Sequence, residues 1–164
     1  MTDIAGAMPD LSFAMTRAND GAVVSAQDYR GKIVILYFGY THCPDECPAT
    51  LANFALMLRA LGPDANAVRV LFVTVDPGRD TVPALKQYVN AFAPQIDGLR
   101  GSPDAIAQLA RRYRVLYSVK PVPAGEEVMH SDAVFLFDAK GRARDVTTST
   151  DDISALAATV KTLL

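Results

Sequence analysis

Three apolar runs separated by segments of helical pattern constrain this chain more than any other feature. Residues 33–38 (IVILYF) and 134–137 (VFLF) are apolar without a break, and residues 68–75 (VRVLFVTV) nearly so. A short run of β-branched and aromatic residues reads as a strand buried on both faces, since a half-solvated strand would alternate apolar with polar. Such a strand needs a helical layer on each side of its sheet.

The helices are legible between the runs. Residues 48–60 place Leu51, Phe54, Ala55 and Leu58 on one stripe. Asp80 or Thr81 is expected to cap a second helix, with Pro83 in its first turn and an end near Phe92. Ser102, Pro103 and Asp104 open a third, to about Arg112. Thr150 or Asp151 caps the last, with Ile153, Leu156, Val160 and Leu163 on one face. Residues 11–27 read as a hairpin turning at Asn19, Asp20 and Gly21, and residues 142–146 return beside the third strand. This order predicts an α/β fold of thioredoxin type, with an N-terminal β-hairpin, a central mixed sheet flanked by helices, and one inserted helix.

With 164 residues the chain suits a single domain whose core needs no disulfide staples. Half the residues are apolar (50%) and 21% charged, an ordinary soluble balance. The formal net charge of −2, with no Lys/Arg run, leaves no electrostatic footprint for nucleic acid or polyphosphate. No apolar stretch approaches the roughly 20 residues of a bilayer-spanning helix, and the first ten residues lack a signal-peptide core. Residues 1–8 are expected to be the remnant of a tether or a disordered start, and residues 9–164 the domain.

The two cysteines, Cys43 and Cys47, stand four positions apart. A disulfide between them would close a very short ring and add little as a staple, so the pair points to redox or metal chemistry. Pro44 and Pro48 restrict the segment. Pro48 disfavours helical dihedrals at Cys47, which predicts a helix starting at Pro48 with Cys47 as its cap and Cys43 folded back from the loop. A helix N-terminus would lower the Cys47 pKa. Two thiolates suit Cu(I), Zn or a redox disulfide. A closed zinc site usually needs four Cys/His ligands, and the chain has two cysteines and two histidines in all, with His42 badly placed beside Cys43. Copper, content with two or three soft ligands, fits the composition best.

His130 is the natural third ligand. An isolated histidine is most often a surface or hydrogen-bonded core residue. In a thioredoxin-type fold, however, the segment entering the third strand faces the cysteine loop and usually carries a cis-proline. Here that segment is Met129, His130, Ser131, Asp132 and Ala133, with no proline.

At these residues the sequence resembles the Sco/SenC family, thioredoxin-like copper chaperones of cytochrome c oxidase assembly. Residues 37–48 (YFGYTHCPDECP), 73–81 (VTVDPGRDT), and His130-Ser131 followed by 134–141 look like three of its blocks, in its order. A lone Cys-x₃-Cys would be weak evidence; three ordered blocks are specific. The resemblance implies Cys43, Cys47 and His130 as copper ligands. It also implies delivery of copper to the binuclear copper site of an oxidase subunit, or reduction of that subunit's thiols. Further partners that it implies are a periplasmic copper donor or a thioredoxin-like reductase. It implies residence in the periplasm or mitochondrial intermembrane space, anchored by an N-terminal transmembrane helix. One departure is Met129, where the family commonly has Asp, a carboxylate able to orient the imidazole. Asp132 is a candidate substitute, and Met129 a candidate thioether, though Met is more often packing.

Other residues have competing roles. Asp76 is either a turn residue or part of the site. His42 is expected in loop hydrogen bonding, and residues 120–125 in a flexible extended loop. Tyr37, Phe38 and Phe72 are expected in the core, and Asp45 and Glu46 at a solvated helix start. Three functions follow from the pair: copper transfer, thiol–disulfide exchange with Cys43 and Cys47 as the redox couple, and peroxidase chemistry in which one cysteine resolves the other's sulfenic acid. Oxidation to the disulfide would remove both thiolates and so gate copper binding.

Overall fold

The expected central strand, buried at every position, organises the molecule. The computed structural model describes residues 1–44, 46–123 and 125–164. In chain order its elements are β1 (Thr2–Asp3), β2 (Ala14–Arg17), β3 (Val23–Ser25), β4 (Ile33–Gly39), α1 (Glu46–Leu61), β5 (Val68–Thr74), α2 (Val82–Asn90), β6 (Ile96–Arg100), α3 (Pro103–Arg112), β7 (Tyr117–Val122), β8 (Gly125–His130), β9 (Val134–Phe137), β10 (Ala143–Thr147) and α4 (Ile153–Lys161).

Eight strands form one mixed sheet in the order β1-β10-β9-β4-β5-β6-β2-β3. The β4, β5 and β6 strands run parallel, and β9 is antiparallel to β4. The period-2 alternation of β4 divides the core. Ile33, Ile35 and Tyr37 face a layer with Leu51, Phe54 and Leu58 of α1, Leu85 of α2, and Leu156 and Val160 of α4. Val34, Leu36 and Phe38 face Ile106 and Leu109 of α3, with Met15 and Val24 of the hairpin. This is the predicted thioredoxin-like architecture, and Tyr37, Phe38 and Phe72 are fully buried in it.

One strand, β6, has no counterpart in the sequence pattern, and three local expectations differ from what is observed. The β6 strand carries no apolar run; its Asp97 accepts a hydrogen bond from the Tyr29 hydroxyl at 2.7 Å. At Gly98 a Cβ would lie 2.6 Å from Leu85 Cγ, so the helix packs where a side chain would stand. The segment expected as a loop at 120–125 belongs instead to a β7–β8 hairpin, paired from Tyr117 opposite His130 to Val122 opposite Gly125; Ala124 lies outside the described residues. The last helix is capped by Asp152, not by Thr150 or Asp151: the Asp152 Oδ1 accepts from the Ala155 N–H at 3.0 Å, while the buried Thr150 hydroxyl accepts from Asn53 Nδ2. Finally, order begins before residue 9. Thr2 and Asp3 pair with Val146 and Asp145 at the sheet edge.

Candidate metal centre

Parallel pairing places Gly39 at the end of β4 beside Thr74 at the end of β5. Loops leaving these ends share one edge of the sheet, where function gathers in open α/β folds. From β4 the chain turns at Tyr40, whose carbonyl accepts the Cys43 N–H at 3.3 Å. It then enters α1 at Glu46, so Cys47 sits inside the first turn and is not the cap. Pro48 is tolerated there because the first four helical N–H groups have no intrahelical partner, so its missing donor costs no bond. The orphan N–H of Cys47 points at Cys43 Sγ, 3.4 Å away. The Cys43 sulfur therefore does a capping side chain's work. Asp45 lies outside the described residues.

His130 closes β8, and its ring reaches back over the cysteines. Cys43 Sγ, Cys47 Sγ and one ring nitrogen of His130 all lie within 4.8 Å of one another, and Cys47 Sγ is 3.4 Å from His130 Nε2. The other nitrogen, Nδ1, is 2.9 Å from the Ser131 carbonyl oxygen. A carbonyl only accepts, so Nδ1 carries the proton and Nε2 presents its lone pair to the sulfurs. The tautomer is thus set by the backbone carbonyl of Ser131. Edge-on contacts from Tyr40 and Tyr37, at centroid separations of 5.7 and 6.1 Å, fix the plane of the ring.

The expected lowering of the Cys47 pKa is not what the structure produces. Burial pushes the thiol up to about 12, helped by the neighbouring Cys43, while hydrogen bonds from the Tyr40 backbone and the Tyr37 hydroxyl oppose it. Cys47 is completely buried, so loss of hydration outweighs the dipole of the helix start. Cys43 is slightly exposed and is the outer sulfur. Two thiols and one unprotonated imidazole nitrogen, converging with no fourth Cys, His, Asp or Glu in the cluster among the described residues, suit a soft ion of low coordination number such as copper better than a closed tetrahedral zinc.

The remaining candidates separate clearly. Met129 is 63% exposed and stays out of the cluster, and Asp132 is exposed. Asp76 accepts from Arg79 Nε at 2.6 Å. It falls with His42 and Asp80 in a second group whose potential ligand atoms lie within 4.8 Å of one another. His42 does take the expected loop role, 3.2 Å from the Thr41 hydroxyl. Two contributors were not singled out by sequence. Gly39 leaves room for Cys47, since a Cβ there would lie 2.8 Å from its Sγ and 2.6 Å from Phe72 Cε1. Tyr40 donates its hydroxyl to the Val128 carbonyl at 3.5 Å, joining the cysteine loop to the histidine hairpin. The glycine directly after an apolar run was the available signal for the first.

Fold and site together define a thioredoxin-like domain in which two thiols and an imidazole converge at the carboxyl edge of the sheet. The chain belongs to the SCO1/SenC family, whose model matches residues 7–164. It is 41% identical over 155 residues to the mitochondrial SCO2 homolog of Bos taurus, covering 88% of this chain and 58% of that protein. The chain spans about half the length of the curated relatives it matches. The structure of Bradyrhizobium japonicum ScoI with copper bound matches with a TM-score of 0.86 at 34% identity, covering 94% of this chain and 99% of that one. Copper-bound Arabidopsis thaliana ScoI matches with a TM-score of 0.84 at 35% identity, covering 93% and 96%.

Proposed function

We propose that this domain binds one copper ion through Cys43, Cys47 and His130 and hands it to a copper-accepting subunit of cytochrome c oxidase. The observation that carries this reading is the convergence of two sulfurs and the lone-pair nitrogen of His130 within 4.8 Å. The copper-bound state of two similar structures supports it. The ion is cargo. It enters by displacing the thiol protons, and it leaves as incoming ligands of the partner replace Cys43, Cys47 and His130 one at a time. Cys43 is the sulfur nearest solvent and the natural first to exchange. We place the domain outside the cytoplasm, in the periplasm or intermembrane space. It would be supplied by a copper donor and re-reduced by a thioredoxin-like partner. No helix among the described residues is long and apolar enough to cross a membrane.

The test is an anaerobic copper titration of the reduced protein beside Cys43→Ser, Cys47→Ser and His130→Ala. One equivalent bound tightly, with thiolate charge-transfer bands for Cu(II) and clear loss in each variant, is the expected result. Unchanged binding in His130→Ala would overturn the three-ligand site. The thiol-reductase alternative rests on the proximity of the two cysteines. It predicts cysteine-dependent exchange that survives His130→Ala.

A further inference from the structure

Copper binding as described leaves one buried ionisable group without a role. Asp80 is 0% exposed. A buried carboxylate is costly unless its lone pairs are filled, and here neutral donors fill them. The Thr41 N–H donates to Oδ2 at 3.0 Å, the Thr41 hydroxyl to Oδ1 at 2.5 Å, and the Thr74 hydroxyl to Oδ2 at 2.6 Å. Helix capping does not explain the group, because the α2 cap is Thr81, whose hydroxyl accepts from the Ala84 N–H. The carboxylate is turned away from its own helix and into the cysteine loop.

Asp80 is itself held from behind. Its N–H donates to the Asp76 carbonyl at 2.9 Å. Arg100 of β6 donates to the Asp80 carbonyl at 3.1 Å and to the Pro77 carbonyl at 3.0 Å. A continuous set of hydrogen bonds therefore runs from the sheet through Asp80 to Thr41, two residues before Cys43. Residues 40–44 contain no helix or strand to hold them. We propose that Asp80 is the positioning residue for Cys43. By clamping Thr41 it holds the outer sulfur within reach of Cys47 and His130. This inference deepens the copper reading and rests on it for affinity, though not for the behaviour of the metal-free thiols.

Substitution separates position from charge. In Asp80→Asn the side-chain carbonyl, placed as Oδ2, still accepts from Thr41 and Thr74. The amide NH₂ then donates to the Thr41 hydroxyl, which serves equally as acceptor. The clamp survives without its charge, whereas Asp80→Ala removes both. Thr41→Val removes one strand of the clamp and leaves Asp80 in place.

The experiment compares wild type, Asp80→Ala, Asp80→Asn and Thr41→Val. It reads copper affinity, the Cu(II)–thiolate bands, the metal-free reduction potential of the Cys43–Cys47 couple, and thermal unfolding. Expected is a loss of copper affinity of about 10–100-fold in Asp80→Ala, with shifted bands and potential. Asp80→Asn should stay close to wild type, and Thr41→Val should move in the direction of the alanine variant. A folded Asp80→Ala with wild-type affinity, bands and potential overturns the proposal. So does Asp80→Asn behaving like Asp80→Ala. Should Asp80→Ala fail to fold, folded Thr41→Val decides: weakened binding with a shifted potential supports the clamp, and no change overturns it. If wild type binds no copper, the copper reading fails, and the potential alone judges the clamp. A shift in Asp80→Ala that Asp80→Asn lacks supports it, and equal potentials overturn it.

Discussion

Cys47 Sγ and His130 Nε2 are separated by 83 positions in sequence and by 3.4 Å in space. The Nδ1 proton is committed to the Ser131 carbonyl, so the contact pairs a protonated thiol with an imidazole lone pair in the metal-free protein. Binding a cation there must expel the thiol proton, which burial holds up to about 12. Apparent copper affinity should therefore rise with pH through the neutral range, by about tenfold per pH unit for each proton released. Competition titrations at several pH values between 6 and 8 check this, and a flat profile would show that Cys47 is not a thiolate ligand.

Gly39 is required by space. A Cβ would sit 2.6 Å from Phe72 Cε1 and 2.8 Å from Cys47 Sγ, in a region buried on all sides. Gly39→Ala should cost about 1–3 kcal/mol by overpacking, read by chemical denaturation. It should also weaken copper binding by moving the inner sulfur. A variant with wild-type stability and affinity would mean the strand end relaxes freely.

The histidine rides on a separate two-stranded ribbon, β7–β8, outside the eight-stranded sheet. Isolated ribbons are marginal in water, and this one is tied to the cysteine loop through Tyr40 and His130. Amides of β7 and β8 should exchange faster than those of β4 and β5 in the metal-free protein, and slow on copper loading. Equal protection in the two states would count against a ligand carried on a movable element.

Asp138 stabilises the turn between β9 and β10. Burial opposes its charge, but the N–H groups of Arg142 and Lys140 and the Arg142 guanidinium outweigh that and hold its pKa below the usual carboxylate value. A depressed folded-state pKa contributes stability that is present above the unfolded value of about 3.9 and lost as pH falls through the folded value. Asp138→Ala should cost about 1–3 kcal/mol near neutrality and flatten the acid limb of the stability profile. Parallel wild-type and variant profiles in acid denaturation would remove Asp138 from that limb.

Local pattern carried much of this protein. The runs at 33–38 and 134–137 declared buried strands because only apolar side chains tolerate burial on both faces of a sheet. Ser102 declared one helix start by the oxygen it offers to orphan N–H groups, and the pair Asp80 and Thr81 declared another without saying which of them caps it. The cysteine spacing and the unusual histidine before the third long strand singled out the three side chains that the fold brings together. What sequence lacked was distance and dielectric. That Asp80 turns to Thr41 and leaves the cap to Thr81, that Asp152 displaces Thr150 at the last helix, and that residues 117–130 pair as a ribbon are outcomes of partners far away in the chain. The Cys47 thiol shows the limit most plainly. Its expected place as the cap of a helix argued for a lowered pKa, and only the packed interior, by stripping its water, reversed the sign.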